Sequence, residues 1–278
     1  MRMFTAIGSR RKIAAVLAFL LMFQMMLSGF ASIGSIAHAA DKPSKYITFL
    51  YTDFKEAANR LSFNGATRFM DDGSLRLTPA QGSQFGTVFN WDKVSLRDNS
   101  GFSTYFTFNM NGADGSSGVP KGADGLVFAV QTKSNSAGSL GGGMGFENIP
   151  NSVGVEFDTF DNGPSQWGSN GDPSNNHVAV DLNGVVSHGS KGVYAEPNID
   201  FNSGQDIYVW IDYKTADKTL SVYYNNSSTR PAQPKLTYTG LDLASVIASP
   251  GCIRRLYRRD GQRLAKSLYQ TMVFYEQI

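Results

Sequence analysis

The chain has one cysteine, Cys252, among 278 residues. No disulfide can form within it, so its stability must come from an apolar core or from bound metal. After residue 40 no apolar run is long enough to cross a bilayer as a helix. Positive charge is scarce where a polyanion would need it. Residues 1–40 hold four basic groups and no acid, and residues 251–278 hold six basic groups and two acids. That leaves 15 basic and 21 acidic residues in 41–250, a net charge of −6. An acidic body without a basic stripe argues against nucleic acid as a partner. The body also lacks a sustained 3.6-residue apolar repeat, so no helix is expected there.

The first forty residues read as an address. Arg2, Arg10, Arg11 and Lys12 form a basic start, an apolar run follows from Ile13 through Leu27, and Ala37-His38-Ala39 supplies small residues at a cleavage site. This pattern is that of a secretory signal peptide over 1–39, cut before Ala40, and it predicts a secreted protein with no stable membrane insertion. The alternative is an uncleaved N-terminal anchor, which the small-residue exit disfavours. No cysteine follows the run at which a lipid could be attached.

What is abundant is glycine, with 29 residues, and aromatics at 12%. From about residue 46 the pattern has period two. Phe102, Thr104, Phe106 and Phe108 fall on one face of a strand, and Ile207–Tyr213 and Thr219–Tyr224 read as a hairpin across Thr215–Lys218. Further strands are expected at Leu75–Leu77, Gly125–Gln131, Val153–Thr159 and His177–Leu182. Two long glycine-rich stretches, Asn111–Gly122 and Ser134–Gly145, read as loops. Many antiparallel strands with long loops imply an all-β jelly-roll sandwich, with function carried on the loops.

The informative segment is Val153-Gly-Val-Glu156-Phe-Asp158-Thr-Phe160-Asp-Asn162, followed by Asp172-Pro-Ser-Asn-Asn-His177-Val-Ala-Val-Asp181. On a strand Glu156, Asp158 and Phe160 point one way. Adjacent carboxylates repel, and a cation between them removes that cost. Asp172 and His177 can return beside them on the next strand. Oxygen ligands suit calcium, and a site with an imidazole suits manganese or a similar metal. Taken singly, each of these residues has an ordinary reading as a solvated strand or turn residue; the joint pattern is what points to metal.

Val153-Gly-Val-Glu-Phe-Asp-Thr159 resembles the metal-binding strand of legume-type (L-type) lectins. Asp172-Pro-x-x-x-His177 resembles their metal loop, Ala123-Asp-Gly-Leu-Val-Phe128 their A-D-G strand, and Gly141-Gly-Gly-Met-Gly145 their glycine loop. The resemblance covers about residues 46–250, and in style it is similar to bacterial secreted members. It implies a concanavalin-A-like jelly roll that binds carbohydrate without catalysis and needs Ca²⁺ and Mn²⁺. It implies Glu156, Asp158, Asp172 and His177 as transition-metal ligands. Asp158, Asn162, Asp172 and the main-chain carbonyl of Phe160 would hold calcium, and Ser187 would face a metal-bound water. Asp124, Gly142 or Gly143, and Asn162 would bind sugar hydroxyls, with the Phe160 ring under the sugar. The bond before Asp124 would be cis. Partners would be glycans or a cell-surface polysaccharide, with homo-oligomer formation left open. One departure stands out: nine residues separate Asn162 from Asp172, more than in plant members.

Two rivals belong to other classes. Glycoside hydrolases share the sandwich, and Glu156-x-Asp158-x-x-Asp161 faintly resembles their strand, with Glu156 as nucleophile and Asp161 as acid. A purely structural surface module fits the fold but leaves Asp124 without a role. Finally, Gly251–Gly261 breaks the period-two pattern with an arginine-rich run. The expected organisation is therefore a signal peptide (1–39), a lectin-type domain (40–250) and a tail (251–278). The tail reads as frameshifted, because dropping one base allows V-Y-V-G-F-T-A-A-T-G and later W-S-F, strands similar to those of the family. On that reading the tail should stay out of the sheets. The alternative is a genuine basic tail for an acidic polymer.

Overall fold

The computed structural model describes residues 50–91, 94–95, 101–110, 122–134, 136, 142–163, 171–186, 193–247 and 267–277. The signal-peptide segment, residues 111–121, 135 and 137–141 of the two glycine-rich loops, Ser187 and residues 248–266 lie outside the described residues.

The strands in chain order are β1 (Leu61–Gly65), β2 (Arg68–Phe69), β3 (Leu75–Arg76), β4 (Gly86–Asn90), β5 (Val94–Ser95), β6 (Phe102–Phe108) and β7 (Ala123–Gln131). They continue with β8 (Ser152–Asp158), β9 (His177–Leu182), β10 (Val193–Ala195), β11 (Ile207–Lys214), β12 (Thr219–Asn225), β13 (Leu236–Tyr238) and β14 (Ser267–Gln277). A large sheet runs β1-β4-β14-β7-β8-β9-β10, with β5 paired to β14. A second sheet runs β13-β12-β11-β6, and β2 and β3 form a separate ribbon. Every pairing is antiparallel. The sandwich expected from the sequence is thus present, and so is the hairpin of β11 and β12, closed by a Lys218 amide donating to the Thr215 carbonyl.

The core fills the space between the two sheets. Phe106 and Phe108 from β6, and Val209 and Ile211 from β11, face Phe128 of β7 and Val155 and Phe157 of β8. Phe157 sits at the centre, edge-on to Phe106 and Phe201. Alternation puts Val153, Val155 and Phe157 inward, so Gly154, Glu156 and Asp158 must face out of the sandwich. They are nevertheless buried, because residues 142–149 cover that outer face: Met144 and Phe146 pack with Val127, Ala129 and Phe89 into a second apolar cluster. A Cβ on Gly154 would lie 3.1 Å from the Phe146 ring, so the absence of a side chain there lets the covering loop settle. β7, β8 and β9 are therefore covered on both faces, and the period-two signal in burial disappears there.

Two expectations need correction. Among the described residues, a 3-10 turn, Ala58–Arg60, and a one-turn helix α1 (Leu243–Val246) occur in the body. Asp242 caps α1 by accepting from the Ser245 amide at 3.0 Å, which stabilises a turn too short to show periodicity. The tail was expected to stay out of the sheets, yet Ser267–Gln277 forms β14 between β4 and β7. The segment is rich in Tyr, Thr, Val and Phe, which suit a pleated strand. Its position supplies partners to two ladders that would otherwise be open edges.

Candidate functional site

The register of β8 against β9 assembles the site. Asp158 lies opposite His177, Glu156 opposite Ala179, and Gly154 opposite Asp181. Small residues opposite the two large acids leave room for the diagonal neighbours to meet. Glu156, Asp158 and His177 each offer a ligand atom, and these atoms lie within 4.8 Å of one another. All three side chains are buried. The His177 Nε2 is 3.0 Å from a Glu156 oxygen, and its Nδ1 is 2.8 Å from the Ser174 carbonyl. With Nδ1 donating to that carbonyl, Nε2 is the nitrogen left to face a metal.

Asp181 closes the informative segment but was given no role from the sequence. It is fully buried and hydrogen-bonds with Glu156. The signal was present: His177, Ala179 and Asp181 alternate on one face, so Asp181 must join the cluster.

Such crowding has a clear electrostatic result. Burial, then the Glu156 charge, pushes Asp158 well above the usual carboxylate range, and the same two causes do so for Asp181. Burial works against a charged His177, but the Glu156 hydrogen bond and charge outweigh it and raise the ring above its ordinary value. Four ionisable groups without a compensating cation are costly in an apolar setting. The donor set of carboxylates and imidazole fits a divalent metal.

The other expected ligands lie around this group. Asp172, half-buried, accepts from the Asn162 amide at 2.7 Å and acts electrostatically on Asp158, His177 and Asp124. Its carboxylate is outside the group of three. β8 ends at Asp158, whose Oδ1 accepts from the Phe160 amide at 2.6 Å. Phe160 is therefore in a turn, and the alternation that placed it on the face of Glu156 stops short of it. Residues 164–170, the core of the long insertion, lie outside the described residues.

Asp124 begins β7 beside Asp158, since Gly125 pairs with Asp158. The Ala123–Asp124 peptide is cis, as the resemblance implied. Asp124 is only 5% exposed, and its Oδ2 has no hydrogen-bond partner among the described residues. Burial, then Asp172, raises its carboxyl to about 6. The glycine loop approaches here: a Cβ on Gly125 would meet Met144 at 2.9 Å and the Phe157 carbonyl at 2.4 Å. At Gly143 a Cβ would meet the Glu147 side chain at 2.3 Å, so only glycine lets that turn close. Gly142 is half-buried in the same turn.

A model of the legume lectin domain matches residues 46–253, which contain every residue of this site. The chain belongs to the legume lectin family. Among relatives, a lectin from Leucomphalos mildbraedii is 30% identical over 207 residues, covering 66% of this chain and 78% of that protein. The L-type lectin-domain containing receptor kinase VIII.2 of Arabidopsis thaliana is 29% identical over 178 residues, 63% of this chain. The match spans 24% of that kinase, so this chain corresponds to about a quarter of the kinase's length. The solved lectin from Bauhinia forficata in complex with GalNAc shares the fold, with a TM-score of 0.57, 20% identity, and coverage of 84% of this chain and 98% of that one. In this legume lectin domain Asp161 is exposed and accepts from the Gly163 amide at 2.8 Å, turned into its own loop. The hydrolase alternative therefore fails on family and on the placement of its acid.

Proposed function

We propose that this legume lectin domain binds carbohydrate without catalysis, and that binding requires bound Ca²⁺ and Mn²⁺. The observation that carries this reading is the Asp124 Oδ2, buried and without a hydrogen-bond partner among the described residues, beside a buried group of metal-type donors. A carboxylate oxygen in that state suits the hydroxyl protons of a sugar. Gly142 and Gly143 offer close backbone approach, Asn162 an amide, and Phe160 a ring for the apolar face of the sugar. Glu156, Asp158, Asp172 and His177 would hold the transition metal. Asp158, Asn162, Asp172 and the Phe160 carbonyl would hold calcium. The metals would neutralise the acidic cluster and fix the two loops that carry the sugar contacts. We propose further that the protein is secreted and that its partners are glycans or a cell-surface polysaccharide.

A glycan array tests the reading directly. Dialysis against chelator is expected to abolish binding, and calcium with manganese to restore it. Undiminished binding in excess chelator would sink it.

We also infer a shift of reading frame near Pro250; the pairing of Ser267–Gln277 in the large sheet counts against it, and the inference rests on residues 251–261, where the period-two pattern breaks. The family match stops at residue 253, where the arginine-rich run begins. The nucleotide sequence decides: the other frame after Pro250 is expected to encode a Y-V-G-F-T-A-A-T-G-like strand and then W-S-F. An early stop in that frame would make the tail genuine.

A further inference from the structure

We infer that the outer face of the small sheet is a second, metal-independent carbohydrate site whose occupant is a polysaccharide chain bearing uronate carboxylates. This face and the group of Glu156, Asp158 and His177 lie on opposite sides of the sandwich. The inference goes beyond the function proposed above and does not require it.

The register of β6, β11, β12 and β13 builds one row across this face. Trp210 lies opposite Tyr105 on one side and opposite Tyr223 on the other. Leu236 pairs with Val222, so Lys235 falls beside Tyr223 at the end of the row. Alternation turns all four outward, because Phe106, Val209, Val222 and Leu236 are the residues buried in the core. From the first strand to the fourth the row spans about 14 Å, the reach of a short run of linked sugar rings.

Rings begin the row. Tyr105 is 53% exposed and stacks with Trp210, with centroids 5.2 Å apart and planes inclined by 29°. The Tyr105 hydroxyl, 3.5 Å from Thr107 Oγ1, keeps its ring lying along β6. Two rings fixed against each other lose little further freedom when a sugar packs its apolar face on them.

Cations end the row. Arg230 lies over the Tyr223 ring, its Cζ 3.8 Å from the centroid, and donates to Asp212. Asp212 also accepts from Ser103 Oγ at 2.6 Å. The guanidinium is thereby held in place with donors to spare among its five. Lys235 is exposed and has no carboxylate partner among the described residues. Lys214, at the end of β11, also faces out. Lys214, Arg230 and Lys235 against Asp212 give this face +2, on a body whose net charge is −6. A positive face on an acidic body selects an anion. Arginine fits a carboxylate with two parallel bonds, and the neighbouring rings fit a sugar. A uronate-bearing chain offers both groups in one molecule.

The test uses the full chain in calcium and manganese, and Asp124→Ala as the background that removes the first site. Hyaluronan is the probe, with carboxyl-reduced hyaluronan and dextran sulfate beside it, and retardation in polymer-containing gels is measured. A long polymer presents at high local concentration a contact too weak to register with short array glycans. Retardation by hyaluronan should persist in Asp124→Ala, with and without chelator, and should vanish for the carboxyl-reduced polymer. Tyr105→Ala and Lys235→Glu, both at exposed positions, should each weaken it about tenfold. In a chain that keeps Asp124 they should leave metal-dependent array binding unchanged. The inference is overturned if Asp124→Ala abolishes retardation or if the carboxyl-reduced polymer binds equally. It is overturned too if dextran sulfate binds and Tyr105→Ala has no effect, which leaves charge alone. A dimer in sedimentation that Tyr105→Ala dissociates and hyaluronan does not would put a second copy of the chain on this face and overturn it as well. Retardation by hyaluronan without array binding in metal supports this inference and sinks the proposed function alone.

Discussion

Asp158→Ala is expected to lose metal and carbohydrate binding together, whereas Asp124→Ala loses carbohydrate and keeps the metals. Asp158 is buried among Glu156 and His177, with ligand atoms close enough to share one cation. Removing it takes away a donor to both proposed ions. Asp124 contributes no donor to the group of three, and its buried oxygen faces the proposed sugar site. Losing charge-assisted bonds to two hydroxyls should weaken glycan affinity on the order of a hundredfold. Metal content by mass spectrometry and array binding, measured on both variants, separate the outcomes. Unchanged glycan affinity in Asp124→Ala would put the binding site elsewhere.

The second expected result is an inverted pH dependence of stability in metal-free protein. Asp124, Asp158 and Asp181 all hold protons in the fold that the unfolded chain releases near pH 4. Where the native state binds more protons, unfolding free energy falls as pH rises. For Asp124, raised from 3.8 to about 6, that loss is about 3 kcal/mol across the interval. His177 acts in the same direction: the stability its raised value contributes is complete below the unfolded value and is lost as pH rises through the folded one. Metal-free protein should therefore melt at lower temperature at pH 7 than at pH 5. A cation needs the ionised carboxylates, so its stabilisation should grow over the same range. Thermal melts in chelator and in calcium with manganese measure both slopes. A metal-free melting temperature that climbs from pH 5 to pH 7 contradicts the charge assignment.

Sequence pattern sufficed where one rule governed the geometry. Glu156 and Asp158 share a face because strands alternate, and His177 meets them because β9 returns antiparallel with His177 opposite Asp158. Asp181 obeys the same rule but was given no role, since nothing local distinguishes it from a solvated acid. Its burial depends on residues 142–149 folding over the outer face, a contact between distant segments that periodicity cannot report. Phe160 shows the converse. The alternation was correct, but Asp158 caps the strand by accepting from the Phe160 amide, and a strand rule applied beyond that turn has no content. β1, β2, β4, β5, β10 and β13 were not expected; each has two to five residues, too few for a period-two pattern to stand out.

The position of β14 bears on the order in which the molecule can be completed. It separates β1 and β4 from β7 to β10, and every one of its partners lies far earlier in the sequence. A growing chain holds all of its metal-type donors, Glu156 to His177, long before the strand that joins the two halves of that sheet has been synthesised. Pairings of such long sequence separation are slow to form. The nascent protein can therefore bring these donors together while its largest sheet is still two fragments, and the closing event waits for residues 267–277.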